Sequence, residues 1–269
     1  MSHPGHDLLS RIAASTRARL PRGAPPAQLV RQAREVAEAR RRREGRSLQR
    51  ALAAPGVRVV AECKRRSPSA GWLRPDFEPV QLARAYQEGG AAAISVVTEP
   101  EYFAGELIWL RLVRGAVALP VLQKDFILSR RQLVEAVVAG ADAVLLIARL
   151  LPGRRLGELV AAAAELALET VVEVHDRRDL ERVLAAGVGI VGINSRDLAT
   201  FRVNLEEAGR LAELVPPEQL VLIESGIRGG DTLRPFLARG RRQFLVGEYL
   251  LRSDDPAAAL RELVACGSW

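Results

Sequence analysis

Cysteine, histidine and lysine are all scarce in this chain of 269 residues, and each scarcity removes a class of function. The two cysteines, Cys63 and Cys266, stand in unrelated contexts and form neither a disulfide framework nor a zinc motif. Three histidines, His3, His6 and His175, are too few and too scattered for a His-rich metal centre. No run of about 18 apolar residues occurs, so no membrane-spanning helix is predicted. Residues 1–20 also lack the charged-then-apolar pattern of a secretory leader, which predicts a soluble cytoplasmic protein. No G-x-G-x-x-G follows the first predicted strand and no G-x-x-x-x-G-K-[ST] occurs, so the common nucleotide cradles are missing.

Lysine is the most telling shortage. Of 39 basic residues only Lys64 and Lys124 are lysine, and the net charge is +7. Such an arginine excess reads as compositional drift, in which arginine replaces lysine wherever a generic positive charge suffices. The two survivors then mark either chance or places where arginine fails, because lysine can give up a proton and arginine cannot. The positive balance itself admits either a nucleic acid or an anionic small molecule as partner.

Residues 1–50 read as polar and helical. Over Ala27–Arg46, Leu29, Ala33, Val36 and Ala37 share one face, with Arg31, Arg34 and Arg40 to Arg43 around them. The four-arginine run reads as a nucleic-acid patch or as a solvated helix end; the lack of interleaved aromatics and glycines favours the second. From Val57 the texture changes to short apolar runs alternating with helical periods, the signature of βαβ units. The predicted strands are Val57–Glu62, Ala92–Val97, Val121–Lys124, Ala143–Ile147, Thr170–Val174, Ile190–Asn194, Val221–Glu224 and Gln243–Val246. Eight such units predict a single (β/α)8 TIM barrel over 51–269, with residues 1–50 as a helical extension packing on it. An open doubly wound sheet is the alternative.

Barrel active sites form at the C-terminal ends of the strands. Here those ends read Glu62-Cys63-Lys64, Lys124-Asp125-Phe126, Glu173-Val174-His175, Asn194-Ser195-Arg196 and Glu224-Ser225-Gly226. Strand side chains alternate, so Glu62 and Lys64 point one way, as do Asn194 and Arg196. Any one of these could be a structural ion pair; five strand ends together point to carbonyl chemistry on an anionic substrate. A lysine can protonate a carbonyl oxygen or form a Schiff base, and a glutamate can accept a proton. The glycines after the last two strands, Gly226 and Gly247, predict a phosphate site.

The runs 61–71 (Ala61 to Gly71), Ser95–Glu99 with Tyr102–Gly105, Leu122–Ile127, Gly140–Ile147, Gly192–Leu198 and Glu224–Ile227 together resemble the indole-3-glycerol phosphate synthase family. The resemblance implies closure of 1-(2-carboxyphenylamino)-1-deoxyribulose 5-phosphate to indole-3-glycerol phosphate, with loss of CO₂ and water and no metal or organic cofactor. By the same resemblance Lys124 is the general acid, Glu173 acts in the later deprotonation and dehydration, and Lys64 shares proton delivery. Glu62, Asn194 and Glu224 orient these groups. Ser225, Gly226, Gly247 and the amide of Glu248 take the phosphate, with Ser67 and Lys64 nearby. Arg196 and Ser69 face the substrate carboxylate, and Phe103, Phe126, Leu145 and Leu245 wall the aromatic ring. Serine often follows the last-strand glycine in relatives; here it is Glu248, whose carboxylate is expected to face away from a phosphate. The partner implied is an anionic small molecule, with no nucleic acid or membrane, for a monomer or weak homodimer. Neighbouring possibilities are phosphoribosylanthranilate isomerase, expected to use cysteine and aspartate, a Schiff-base aldolase, and, in another class, an arginine-rich RNA-binding protein.

Overall fold

The computed structural model of the chain describes residues 4–42, 46–74, 76–197 and 201–267. His3, Arg43 and Leu198 lie outside the described residues. Eight parallel strands close into a barrel: β1 Arg58–Cys63, β2 Ala93–Val97, β3 Val121–Lys124, β4 Ala143–Ile147, β5 Glu169–Val174, β6 Ile190–Asn194, β7 Leu220–Glu224 and β8 Gln243–Val246. They pair in sequence order around the ring, and β8 returns to β1. Closure removes every sheet edge, so the open doubly wound alternative is excluded. Four of the eight strands start and end where the sequence pattern places them, and the rest shift by one residue.

The strands are apolar on both faces because each is covered on both. Val59, Ala61 and Cys63 of β1 point outward into the large core under the helices, whereas Val60 points into the barrel. The same parity sends Leu122, Ala143, Leu145, Val171, Ile190, Leu222 and Leu245 inward. Two residues further along, the inward positions become Glu62, Lys124, Glu173, Gly192, Glu224 and Gly247. One inner layer is therefore apolar and the layer above it ionisable, a division set by where each strand's polar residues fall.

Three helices precede the barrel: α1 Pro4–Arg19, α2 Ala27–Arg42 and α3 Leu48–Ala53. In α2, Ala33 and Ala37 are buried, as the helical period predicts, but the helix stops at Arg42. Ser47 then caps α3, accepting from the Arg50 amide at 3.0 Å. Leu48 and Leu52 of α3 join the inner barrel cluster. Gln243 donates to the Leu52 carbonyl at 3.2 Å and Ser47 donates to Glu169 at 2.6 Å, so α3 plugs the barrel at the strands' N-terminal ends.

The arginine run is engaged with this chain itself. Arg40 lies 3.9 Å from Asp142, Arg41 donates to the Glu165 carbonyl, and Arg42 pairs with Glu38 at 3.0 Å. Asp142, itself buried, also accepts from the Val121 amide at 3.0 Å and meets Arg114 at 3.3 Å. Asp142→Ala leaves that amide and two guanidinium groups without their acceptor, so it should cost about 2–3 kcal/mol. A fall in the urea midpoint with an unchanged slope is the expected reading; an unchanged midpoint would show the network to be idle. Among the described residues no helix is long and apolar enough to cross a membrane.

Candidate active site

A cavity of about 760 Å³ opens at the C-terminal ends of the strands. Every residue singled out from the sequence for catalysis or binding lines it, except Glu224, which is fully buried immediately behind Lys124. Lys64, Ser67 and Ser69 come from the segment after β1, Phe103 and Phe126 from those after β2 and β3, and Leu145 from β4. Asn194 and Arg196 come from β6 and its exit, Ser225 and Gly226 from the exit of β7, and Leu245, Gly247 and Glu248 from β8 and its exit.

Lys124 is the electrostatic centre. Its Nζ stands 2.5 Å from Glu224 Oε2 and 3.6 Å from Glu173 Oε2. Burial acts to lower the pKa of this ammonium, but Glu224, Glu173 and Glu62 outweigh it and hold the group above the usual lysine range. Lys124 is thus a proton carrier loaded in the resting site. Lys64 is paired with Glu62, two residues back on the same face. Burial pushes the Glu62 carboxyl up, yet Lys64, Lys124 and Arg196 overcome that and hold it below the ordinary carboxylate value. Glu224 goes the other way: burial pushes it up to about 7 against the pull of Lys124, with Glu173 and Glu62 adding to the rise.

Two glycines make room for two of the buried carboxylates. A Cβ on Gly192 of β6 would sit 2.4 Å from Glu224 Oε1, and one on Gly247 would sit 2.5 Å from Glu62 Oε1. Neither position requires a left-handed backbone; the constraint is space. Gly192→Ala should therefore displace Glu224 and with it the Lys124 ammonium. Mispositioning of this order costs about 10²-fold in rate. Steady-state kcat should fall by at least tenfold with the thermal midpoint within a few degrees of wild type, and unchanged kcat would show that Glu224 has room to spare.

The walls and rim complete the site. The Phe103 and Phe126 rings lie 6.1 Å apart, centroid to centroid, and form one apolar side. Arg196 and Arg228 line the cavity near the Ser225-Gly226 turn. That turn has both residues at positive φ, and Ser195 Oγ donates to the Ser225 carbonyl region at 2.9 Å. The Glu248 side chain does not turn away from the mouth as expected. Its carboxylate is 3.1 Å from Arg252 and 3.8 Å from Arg196, so pairing with two guanidinium groups, rather than distance, blunts its charge. Cys63 is buried in the outer core, facing away from the cavity. Among the described residues no group of three or more His, Cys, Asp or Glu side chains is arranged to hold a metal ion.

Several cavity residues carry no signal in the strand pattern. Leu8, Leu9 and Ile12 of α1 reach over the mouth, placed there by Arg19, which pairs with buried Glu99 and with Glu101 at 2.8 Å each. Glu99 in turn accepts from the Tyr102 amide at 2.7 Å and caps the short helix Pro100–Phe103 that presents Phe103. The i, i+4 spacing of Leu8 and Ile12 is the only sequence trace of this contact. Asp125, the residue after Lys124, also lines the cavity and accepts from Thr98 and from the Phe126 amide at 2.7 Å.

A family profile described as indole-3-glycerol phosphate synthase matches residues 9–263. The indole-3-glycerol phosphate synthase of Rhodopirellula baltica is 48% identical over 209 residues, 78% of this chain and 81% of its own. That of Nocardioides sp. is 48% identical over 215 residues, 80% and 83% of the two chains. Among solved structures, thiamine phosphate pyrophosphorylase from Pyrococcus furiosus aligns with a TM-score of 0.63 over 82% of this chain and 98% of its own. Its 21% identity shows a shared barrel fold and nothing further.

Proposed function

The chain belongs to the indole-3-glycerol phosphate synthase family, decarboxylating lyases of tryptophan biosynthesis, and from that premise we propose how its own residues divide the reaction. The substrate is the phosphorylated, carboxylated arylamino-ketose named above. Its phosphate docks on the backbone at Ser225, Gly226, Gly247 and Glu248, with Ser67 close by. Its carboxylate faces Arg196, Ser69 and Asn194, and its ring lies among Phe103, Phe126, Leu145 and Leu245.

The ring carbon bearing the carboxylate attacks the ketone carbon while Lys124 delivers its proton to the ketone oxygen. The carbon–carboxylate bond then breaks, CO₂ departs, and its electron pair restores the aromatic ring. In the last step the new hydroxyl leaves as water, with a proton supplied through Lys64, and Glu173 accepts the proton released as the indole double bond forms. Glu224 and Glu62 hold the two lysines in place. The positive rim favours the substrate's two anionic groups.

The observation that supports this reading is the position of Lys124: a protonated amine between two carboxylates, in a cavity walled by aromatic rings. The test is to supply the arylamino-deoxyribulose phosphate and follow indole fluorescence. Turnover with no borohydride-trapped adduct is expected. A covalent adduct on Lys124 would overturn the acid role in favour of a Schiff base, because only an imine is reduced to a stable amine.

A further inference from the structure

Three strand ends carry a pair of polar side chains two residues apart on the inward face: Glu62 with Lys64, Asn194 with Arg196, and Glu173 with His175. The first two pairs line the cavity, but His175 does not. It lies behind Glu173, almost wholly buried, with its Nε2 3.2 Å from Glu173 Oε1. Neither ring nitrogen has a formed hydrogen bond among the described residues. A buried imidazole with nothing to donate to carries a desolvation cost, and among the described residues the carboxylate within 4 Å of it is that of Glu173. Burial, aided by Arg149, pushes its pKa down to about 4 despite Asp179, Glu224 and Asp176 nearby. Arg149 is itself occupied by Asp176 at 3.1 Å and Asp179 at 3.3 Å, so it does not compete for Glu173.

We propose that His175 is a positioning residue for Glu173: as a neutral imidazole its Nε2–H, within reach of Oε1 but not aligned with it in this structure, closes on that oxygen when Glu173 engages substrate and keeps Oε2 toward Lys124 and the reacting carbons. The inference rests on the reading of Glu173 as the proton acceptor. A carboxylate turns freely about its terminal torsion, and Lys124 alone, 3.6 Å away, fixes only one of its oxygens. A donor on the second oxygen fixes the plane of the group. His175 does not line the cavity, so its loss should appear in the chemical step and not in binding.

His175→Leu keeps the bulk and removes the donor, and His175→Gln returns an N–H at a similar reach. The leucine variant should lose at least about tenfold in kcat with KM within about twofold of wild type, and the glutamine variant should recover to within about threefold. Unchanged kcat in His175→Leu, or equal losses in both variants, overturns the proposal. Where the leucine variant fails to fold, imidazole ¹⁵N NMR of the wild-type protein decides. His175 is one of three histidines, so its signals can be assigned by their disappearance in His175→Gln. They should report a neutral ring protonated at Nε2 that responds to Glu173→Gln. A ring protonated at Nδ1, or one indifferent to Glu173→Gln, overturns the proposal. If Glu173→Gln itself retains full activity, the role of Glu173 falls first; if it is impaired while His175→Leu is not, only the positioning role falls.

Discussion

Lys124→Met is expected to lower kcat by about 10³-fold, and Lys124→Arg by a similar factor, but the two variants should differ sharply in stability. General-acid contributions run to about 10²–10⁴-fold. The ammonium lies against two of the site's carboxylates, Glu224 at 2.5 Å and Glu173 at 3.6 Å, so it is both the proton source and the main counter-charge of the site. Arginine preserves the positive charge and fails as an acid because a guanidinium does not release its proton at working pH. Methionine removes the charge as well and leaves the buried Glu224 facing Glu173 and Glu62 without its main partner, at a cost of about 2–3 kcal/mol.

The pH dependence of that cost follows from the sign of the Glu224 shift. Its folded-state value is already raised to about 7, from 4.5, so folding favours the protonated form. The stability this group contributes is complete below its unfolded value and is lost as pH rises through its folded value. Without Lys124 the folded value moves higher still. Lys124→Met should therefore be close to wild type in thermal midpoint near pH 5 and clearly lower near pH 8, whereas Lys124→Arg should track wild type at both. Equal midpoints for all three proteins at pH 8 would mean that the carboxylates find other partners. A Lys124→Arg enzyme with near-normal turnover would remove Lys124 as the acid.

The barrel and the ionisable strand ends were legible in the sequence because both follow from local periodicity, whereas Ser67, Ser69, Phe103, Phe126, Leu145 and Leu245 were picked out only by the family resemblance. Strand parity alone puts Glu62 with Lys64 and Asn194 with Arg196, and it turns Cys63 and Gln123 to the outer face, where both are buried. The position of Lys124 between Glu224 and Glu173 depends only on β3, β5 and β7 ending at comparable heights. Features fixed by tertiary proximity left no such trace. The hairpin pairing Arg66–Ser67 with Gly71–Trp72 is two residues deep on each side, too short to alternate. The roof formed by Leu8, Leu9 and Ile12 depends on Arg19 finding Glu99, some 80 positions away in sequence. Gly192 reads in sequence as one more strand residue, and its meaning emerges only when Glu224 Oε1 is found against it. Glu248 is a mixed case: Arg252, four residues on, is a local partner, but Arg196, which brings the second guanidinium, exits a different strand some 50 positions earlier.

Glu173→Gln should separate the two halves of the reaction. The substitution keeps the shape of the side chain and its ability to hydrogen-bond to Lys124, and removes only the capacity to accept a proton. If Glu173 acts after ring closure, attack on the carbonyl and loss of CO₂ still proceed, because Lys124 remains charged against Glu224 and Glu62. Dehydration then stalls for want of an acceptor. Steady-state kcat should fall by about 10²–10³-fold, within the range of a lost general base, while KM stays within about threefold. In a single turnover, CO₂ should be released well before indole fluorescence appears, whereas in wild type the two signals should be much closer in time. Lys124→Met gives the contrasting pattern: both signals are lost together, since the first bond never forms. Simultaneous loss of CO₂ release and indole formation in Glu173→Gln would move Glu173 to the ring-closure step and leave Lys64, paired with Glu62 at the end of β1, as the centre of the dehydration.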